Sequence, residues 1–265
     1  MILITNDDGI QAPGILALQQ ALSDIDRVVV VAPDRERSSI SMAITLNDPL
    51  RIKQISTDVY TADGTPVDCV DLAVAEILSQ PPRLIVSGIN RGENLGHDVH
   101  FSGTLAAARK GVLLNIPSIA ISQTTWRGPL SNQTDSKPVQ LTIPDTVEAY
   151  QASAQIAYQL VKRILANRIP DDVLLNVNVP NADLSEIGDM VVTRQDRGIY
   201  SAQSIRRQDR YGRTYYWIGG TRSTDDHADD TDICAVQNNR VSVTPIIVDL
   251  TDYRKMESVQ NWLSS

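Results

Sequence analysis

Residues 1–15 read Met-Ile-Leu-Ile-Thr-Asn-Asp-Asp-Gly-Ile-Gln-Ala-Pro-Gly-Ile. Ile2, Leu3 and Ile4 make a short apolar run of the kind that forms a strand buried on both faces. Pro13-Gly14 then leads into a segment, 14–23, with apolar residues at helical spacing. Strand, polar turn and helix in that order begin a βαβ unit, and the order repeats down the first half of the chain. Runs at 27–31, 84–86 and 118–121 read as further buried strands, with helices at 66–79, 102–114 and 145–167 between them. The expected fold class is α/β, a mostly parallel sheet flanked by helices.

From about 185 the texture changes. Val191-Val192-Thr193 and Tyr215-Tyr216-Trp217-Ile218 enclose a polar stretch rich in Arg, Gln and Tyr, which reads as a β-hairpin projecting from the core. Segments 241–244 and 246–248 return as strands, and 252–263 closes as a helix. The chain is thus expected to divide into a core at 1–185 and a hairpin and C-terminal oligomerisation region at 186–265, with strand 241–248 returning towards the core. Tyr200, Tyr211, Tyr215, Tyr216 and Trp217 crowd into the hairpin of a chain that has one Phe. A projecting hairpin cannot bury so many aromatics alone, so a homo-oligomer using this region is expected. The plainer alternative folds these rings back on their own core. Two stretches read as loops, 123–143 and the acidic 221–232 with Asp225, Asp226, Asp229, Asp230 and Asp232. The acidic one lacks EF-hand spacing and the closing Glu, so it reads as a solvated loop rather than a calcium site.

A chain of 265 residues is long enough to bury a large core. It has no apolar run long enough to span a bilayer, and Met1 leads into Ile2 without a basic n-region or cleavage site, so a cytoplasmic protein is expected, with no membrane partner. Cys69 and Cys234, far apart and without CxxC spacing, suit reduced buried thiols. A net charge of −8 argues against gripping a nucleic-acid polymer through a basic face. A small anion stays possible, because one cation and a few arginines can dominate a cleft.

In an open parallel sheet, ligands bind beyond the carboxyl ends of the strands. Four stretches should therefore converge: Asn6-Asp7-Asp8, Ala32 to Ser39, Gly88 to Gly96, and Ser102-Gly103-Thr104. Asp7 and Asp8 repel each other and lose hydration, and a hard divalent cation beside them reverses both penalties. The plainer reading of a lone Asp-Asp-Gly is a turn at Asp8-Gly9 with Asp7 capping a helix. Convergence of four such loops favours the cation. Two carboxylates with a Ser hydroxyl and an Asn carbonyl suit magnesium or manganese, whereas zinc would recruit His or Cys. His97 and His100 are read as loop residues that this scheme does not require. Ser102-Gly103-Thr104 opens a helix whose free amides favour phosphate, although Ser102 as a simple N-cap is the commoner use. Neither GxxxxGK[ST] nor a post-strand GxGxxG is present, which removes support for P-loop triphosphatases and dinucleotide-dependent oxidoreductases.

Several ordered motifs resemble the survival protein SurE family of metal-dependent nucleotidases. They are Thr5 to Ile10 with Ala12 to Ile15, Val31 to Arg35 with Arg37-Ser38, Gly64-Thr65-Pro66 with Asp68-Cys69-Val70, Ser87 to Asn90 with Gly92, Asn94-Leu95-Gly96, and Ser102-Gly103-Thr104. Leu175 to Pro180, Val192-Thr193-Arg194, Tyr216 to Gly219 and Val241 to Pro245 extend the likeness over nearly the whole chain. The resemblance implies a Rossmann-like core of three layers with a protruding hairpin, and exchange of C-terminal segments giving a homodimer or homotetramer. It implies one divalent cation per subunit, magnesium or manganese, held by Asp7, Asp8, Ser38 and Asn90, with Ser39 as the neighbouring hydroxyl. It further implies a phosphomonoesterase acting on nucleoside 5'- and 3'-monophosphates, with polyphosphate a further substrate of some members. His97 and Phe101 depart from the acidic residue and the Tyr that the family often has there, which bears on substrate preference.

In the expected mechanism Asn94 and the Ser102-Gly103-Thr104 amides hold the phosphate, while Asp7 or Asp8 orients a water and assists proton transfer. One rival makes Asp7 a nucleophile that forms an aspartyl-phosphate, although enzymes of that kind carry Asp-x-Asp rather than adjacent aspartates. The other is a nucleotide-binding regulator without turnover.

Overall fold

The protein is described by a computed structural model covering residues 1–127, 139–140, 142–167, 169–170, 172–200, 203–219, 222–223 and 228–265. The chain begins β1 (Ile2–Thr5), α1 (Pro13–Leu22), β2 (Val28–Pro33), β3 (Ile52–Ser56), β4 (Val59–Ala62), α2 (Pro66–Leu72), β5 (Leu84–Arg91) and α3 (Gly103–Leu113). It continues through β6 (Ser118–Gln123), β7 (Trp126–Arg127), β8 (Val139–Gln140), α4 (Gln151–Ala166), β9 (Val173–Val179), β10 (Met190–Val192) and β11 (Ile199–Tyr200). It ends with β12 (Gln203–Gln208), β13 (Thr214–Gly219), β14 (Arg222–Ser223), α5 (Asp232–Gln237), β15 (Val241–Ile247) and α6 (Met256–Leu263).

Alternation along the strands sets the layering. Ile2 and Ile4 of β1 pack in one apolar cluster with Val28, Val30, Leu84, Val86, Ile119 and Ile121. Leu3 packs in the opposite one with Val29, Val31 and Ile85. A strand apolar on both faces needs cover on both sides. α1 and α4 cover the first face through Ile15, Leu18, Ala157 and Val161. α2 and α3 cover the second through Cys69, Val70 and Ala107. The result is the expected three-layer α/β architecture.

One sheet of nine strands runs β10-β15-β9-β6-β5-β1-β2-β4-β3. The six strands from β9 to β4 are mutually parallel; β3 runs antiparallel to β4, and β15 antiparallel to β9. From β1 the chain moves to β2 and β4 on one side, then crosses to β5 on the other. Flanking connections therefore diverge above β1 and β5, and their carboxyl ends open a crevice.

Several elements differ from the expectations. β5 extends to Arg91, so Gly88 to Arg91 lie in the strand, not in a loop after it. The helix expected over 66–79 ends at Leu72 and continues as a π-helical turn, Ala73–Ile77. The β3–β4 pair had no visible signal, because every residue of β3 is exposed and carries no buried stripe. Asp225 and Asp226 lie outside the described residues, as does most of the 123–143 stretch. Asp232, expected in a solvated loop, is instead fully buried at the start of α5, capped by Thr231.

β12 and β13 pair as a two-stranded antiparallel ribbon with Ile205 opposite Trp217 and Arg206 opposite Tyr216, and no residue of either strand is buried. α6 likewise buries nothing and exposes Met256, Val259, Trp262 and Leu263. Cys69 and Cys234 are free thiols, the first buried and the second partly exposed. Among the described residues no helix is long and apolar enough to cross a membrane.

Candidate functional site

The turn after β1 carries Asp7 to the carboxyl end of the sheet and into contact with the start of α3. Gly9, at φ +100°, permits the turn back towards α1. Asp7 is buried, and Thr104 donates twice to it, from Oγ1 to Oδ1 at 2.5 Å and from N to Oδ2 at 3.1 Å. Gly103 makes this approach possible, since a Cβ there would lie 2.9 Å from both Cβ and Oδ2 of Asp7. The N-terminus of α3 thus holds a carboxylate of the chain itself. Ser102 caps the same helix, its Oγ accepting from Leu105 N at 3.1 Å.

Asp8 turns the other way, and its Oδ2 accepts from Arg91 N at the end of β5 at 3.0 Å. Burial, followed by the neighbouring charge of Asp7, pushes the Asp8 carboxyl up to about 7. Burial also raises Asp7, opposed by its bonds to Thr104. Two carboxylates whose charged forms are this disfavoured leave the site short of positive charge.

A cavity of about 820 Å³ opens here, lined by Asp7, Ser38, Ser39, Asn90, Asn94 and Ser102, together with Arg91, Glu93, Asp98, Phe101, Thr125 and Ile218. Arg37 N donates to Asp7 O at 2.7 Å, which pins the loop carrying Ser38 over the end of β1. Ser38 Oγ donates to Glu36 Oε1 at 2.9 Å. Asn90 Nδ2 donates to Gly92 O at 2.8 Å, leaving its amide oxygen without a partner among the described residues. Among the described residues the lining carries three carboxylates, Asp7, Glu93 and Asp98, against the guanidinium of Arg91. Among the described residues no three His, Cys, Asp or Glu side chains cluster tightly enough to hold a metal. A cation at Asp7 would therefore draw on hydroxyl, amide and water oxygens, which fits a hard ion. His97 and His100 lie on the 3-10 turn Gly96–His100 and do not line the cavity.

Two of the residues expected to grip phosphate are otherwise engaged. Thr104 is fully buried, with both donors on Asp7, so it positions the carboxylate. Asn94 does line the cavity, but its Nδ2 donates to Ser122 Oγ at 2.8 Å. Its backbone is held from β9: Asn94 N donates to Asn178 Oδ1, and Asn94 O accepts from Asn176 and Asn178. Ser102 lines the cavity beside it, while Gly103 stands behind Asp7.

Sequence reasoning missed Asp232. Its buried carboxylate accepts from Gly96 N at 2.8 Å, Asp196 N at 2.9 Å and Ile233 N at 2.8 Å, tying α5 and the root of the ribbon to the Asn94–Ser102 segment. Asp232→Ala leaves those donors unpaired and is expected to cost about 3 kcal/mol. A fall of roughly 6–12 °C in melting temperature should follow. An unchanged melting curve would remove Asp232 from this role.

A parallel sheet with a polar crevice at its switch point defines an α/β protein whose ligand sits at the carboxyl ends of the strands. A sequence model of the family described as "Survival protein SurE" matches residues 2–202. The chain is similar to the 5'-nucleotidase SurE of Geobacter sulfurreducens, 43% identical over 261 residues that span 98% of this chain and 93% of the relative. It is also similar to that of Pelobacter propionicus, 42% identical over 262 residues and 99% of each chain. The solved SurE protein from Aquifex aeolicus superposes with a TM-score of 0.82 at 40% identity, covering 100% of this chain and 99% of the other. The chain belongs to the SurE family.

Proposed function

We propose that the chain hydrolyses nucleoside 5'-monophosphates to nucleoside and phosphate, using one divalent cation, magnesium or manganese, held by Asp7, Asp8, Ser38 and Asn90. The observation that carries this reading is the meeting of Asp7, Ser38 and Asn90 in one acidic cavity at the switch point. A phosphate dianion cannot enter a lining with three carboxylates and one arginine unless a cation offsets their charge. Each Asp7 oxygen has two lone-pair directions, so accepting from Thr104 leaves room for a second partner. When bound, such a cation neutralises phosphoryl charge and makes water more acidic. Thr104 and the helix start hold Asp7 in place, Arg91 N orients Asp8, and Ser102 faces the phosphate. Asp7 or Asp8 orients the attacking water and takes up its proton.

Phosphate release from AMP with added manganese tests the reading: turnover supports it, and none with either cation overturns it. Nucleoside 3'-monophosphates and polyphosphate, offered in the same assay, test the wider range proposed for this site. An aspartyl-phosphate route is disfavoured because Asp7 and Asp8 are adjacent, whereas enzymes of that kind carry Asp-x-Asp. Acid-quenched protein should accordingly retain no phosphate. A regulator without turnover is disfavoured by the presence together of both carboxylates, Ser38 and Asn90.

We further infer that the ribbon and the tail containing α6 serve a homodimer or homotetramer. Tyr215, Tyr216, Trp217, Ile218 and, on α6, Trp262 and Leu263 are all exposed, an apolar display that a monomer seldom leaves open. Light scattering at micromolar concentration should give at least twice the chain mass; a monomer would rule this out.

A further inference from the structure

The cavity lining is mostly polar, with two large apolar side chains. Asp7, Ser38 and Asn90 belong to its polar lining, and Phe101 and Ile218 are the large apolar residues that line it among the described residues. Both are conspicuously open, Phe101 at 60% exposure and Ile218 at 96%, although each flanks a site whose remaining lining is polar. Phe101 is fixed from beneath: its backbone O accepts from Ser41 N at 3.0 Å, and its N donates to Asp98 O at 2.9 Å. Ile218 comes from β13, and the ribbon register sets what accompanies it. Ser204 lies opposite Ile218 and Arg206 opposite Tyr216. Residues two apart on a strand share a face, so Tyr216 and Arg206 continue the face that Ile218 turns to the cavity.

We propose that Phe101 and the Ile218–Tyr216 face of the ribbon are the two walls of a slot for the nucleobase of the leaving nucleoside. The proposal rests on the nucleotidase reading and adds the part of the molecule that chooses among phosphate esters. A phosphate seated by Asp7, Ser38 and Asn90 leaves the rest of its ester in the same cavity, where an aromatic ring can lie against Phe101 and Ile218. Stacking against such walls is tolerant of base identity, because every base has a π-face. Arg206, beside Tyr216 and exposed, adds a cation at the outer edge of the slot. The ribbon thereby has a task in each subunit's chemistry as well as in assembly.

The test compares AMP with ribose 5-phosphate, which presents the same phosphate ester without a base, at saturating manganese. The unsubstituted protein should prefer AMP in kcat/KM, mainly through a lower KM. Phe101→Ala and Ile218→Ser should each shrink the AMP to ribose 5-phosphate ratio about tenfold, the size expected for one lost stacking wall. Phe101→Tyr should keep the ratio. Both positions are exposed, and melting curves should confirm folded variants. Ratios that stay at the unsubstituted value overturn the slot. Turnover of ribose 5-phosphate without preference for AMP also overturns it while leaving a phosphatase. Turnover of neither ester by the unsubstituted protein overturns the nucleotidase reading, and the slot with it.

Discussion

Asp7→Asn is expected to lower AMP turnover by about three orders of magnitude, equivalent to about 4 kcal/mol of transition-state stabilisation. The substitution removes one of the two negative charges next to each other at the end of β1 and therefore the strongest draw for a cation. Its effect on the fold should be small, because two changes oppose each other. The Nδ2 of an amide cannot accept, so the bond with Thr104 Oγ1 reverses, the hydroxyl accepting from Nδ2, and both contacts lose their charge assistance. The same change removes a buried charge that desolvation disfavours and relieves Asp8 of its neighbour's repulsion. Steady-state kinetics with manganese and a thermal melt separate the two effects. Near-normal turnover would take Asp7 out of the cation site.

Much of this site is legible from strand ends alone. β1, β2, β5 and β6 read clearly because each is apolar on both faces, and a parallel sheet places whatever follows such strands on one edge. Strand ends bring Asp7 and the segments 32–39 and 88–96 to that edge, whereas only the resemblance to the SurE family singles out Ser38 and Asn90 within them. The role of Thr104 was not legible, since Ser-Gly-Thr before a helix says only that amides are free. That they are taken by Asp7 depends on how closely the end of β1 approaches α3, a distance opened by the missing side chain of Gly103. Asp232 was hidden for a different reason. It closes a run of acidic residues whose composition reads as solvated, and only the docking of α5 beside β15 buries it under three amide donors. β3 and the cavity-facing side of the ribbon share a third cause. Their residues pack against no core of the chain itself, so no periodic apolar stripe marks which face matters.

Under chelation, Asp8→Asn is expected to be more stable than the unsubstituted protein at pH 8 and to lose most of that advantage by pH 5. The Asp8 carboxyl titrates at about 7 in the fold against an ordinary value of 3.8, for burial first and the charge of Asp7 second. Between those values the folded chain keeps a proton that the unfolded chain has released, so the stability due to Asp8 is full below about pH 4 and is lost as pH rises to 7. An asparagine carries no charge at any pH and escapes the loss. The melting-temperature difference between variant and unsubstituted protein in EDTA should therefore grow from pH 5 to pH 8 and level off above it. A divalent cation reverses the order, because it binds the carboxylate form and competes with the proton. Manganese or magnesium should raise the melting temperature of the unsubstituted protein more at pH 8 than at pH 6, and of Asp8→Asn much less at either. Replacing His97 and His100 together by Ala should leave this cation response in place, since neither ring lines the cavity. A cation response lost with the histidines would make the site a nitrogen one, and a melting difference independent of pH would mean that Asp8 is not the strained carboxylate.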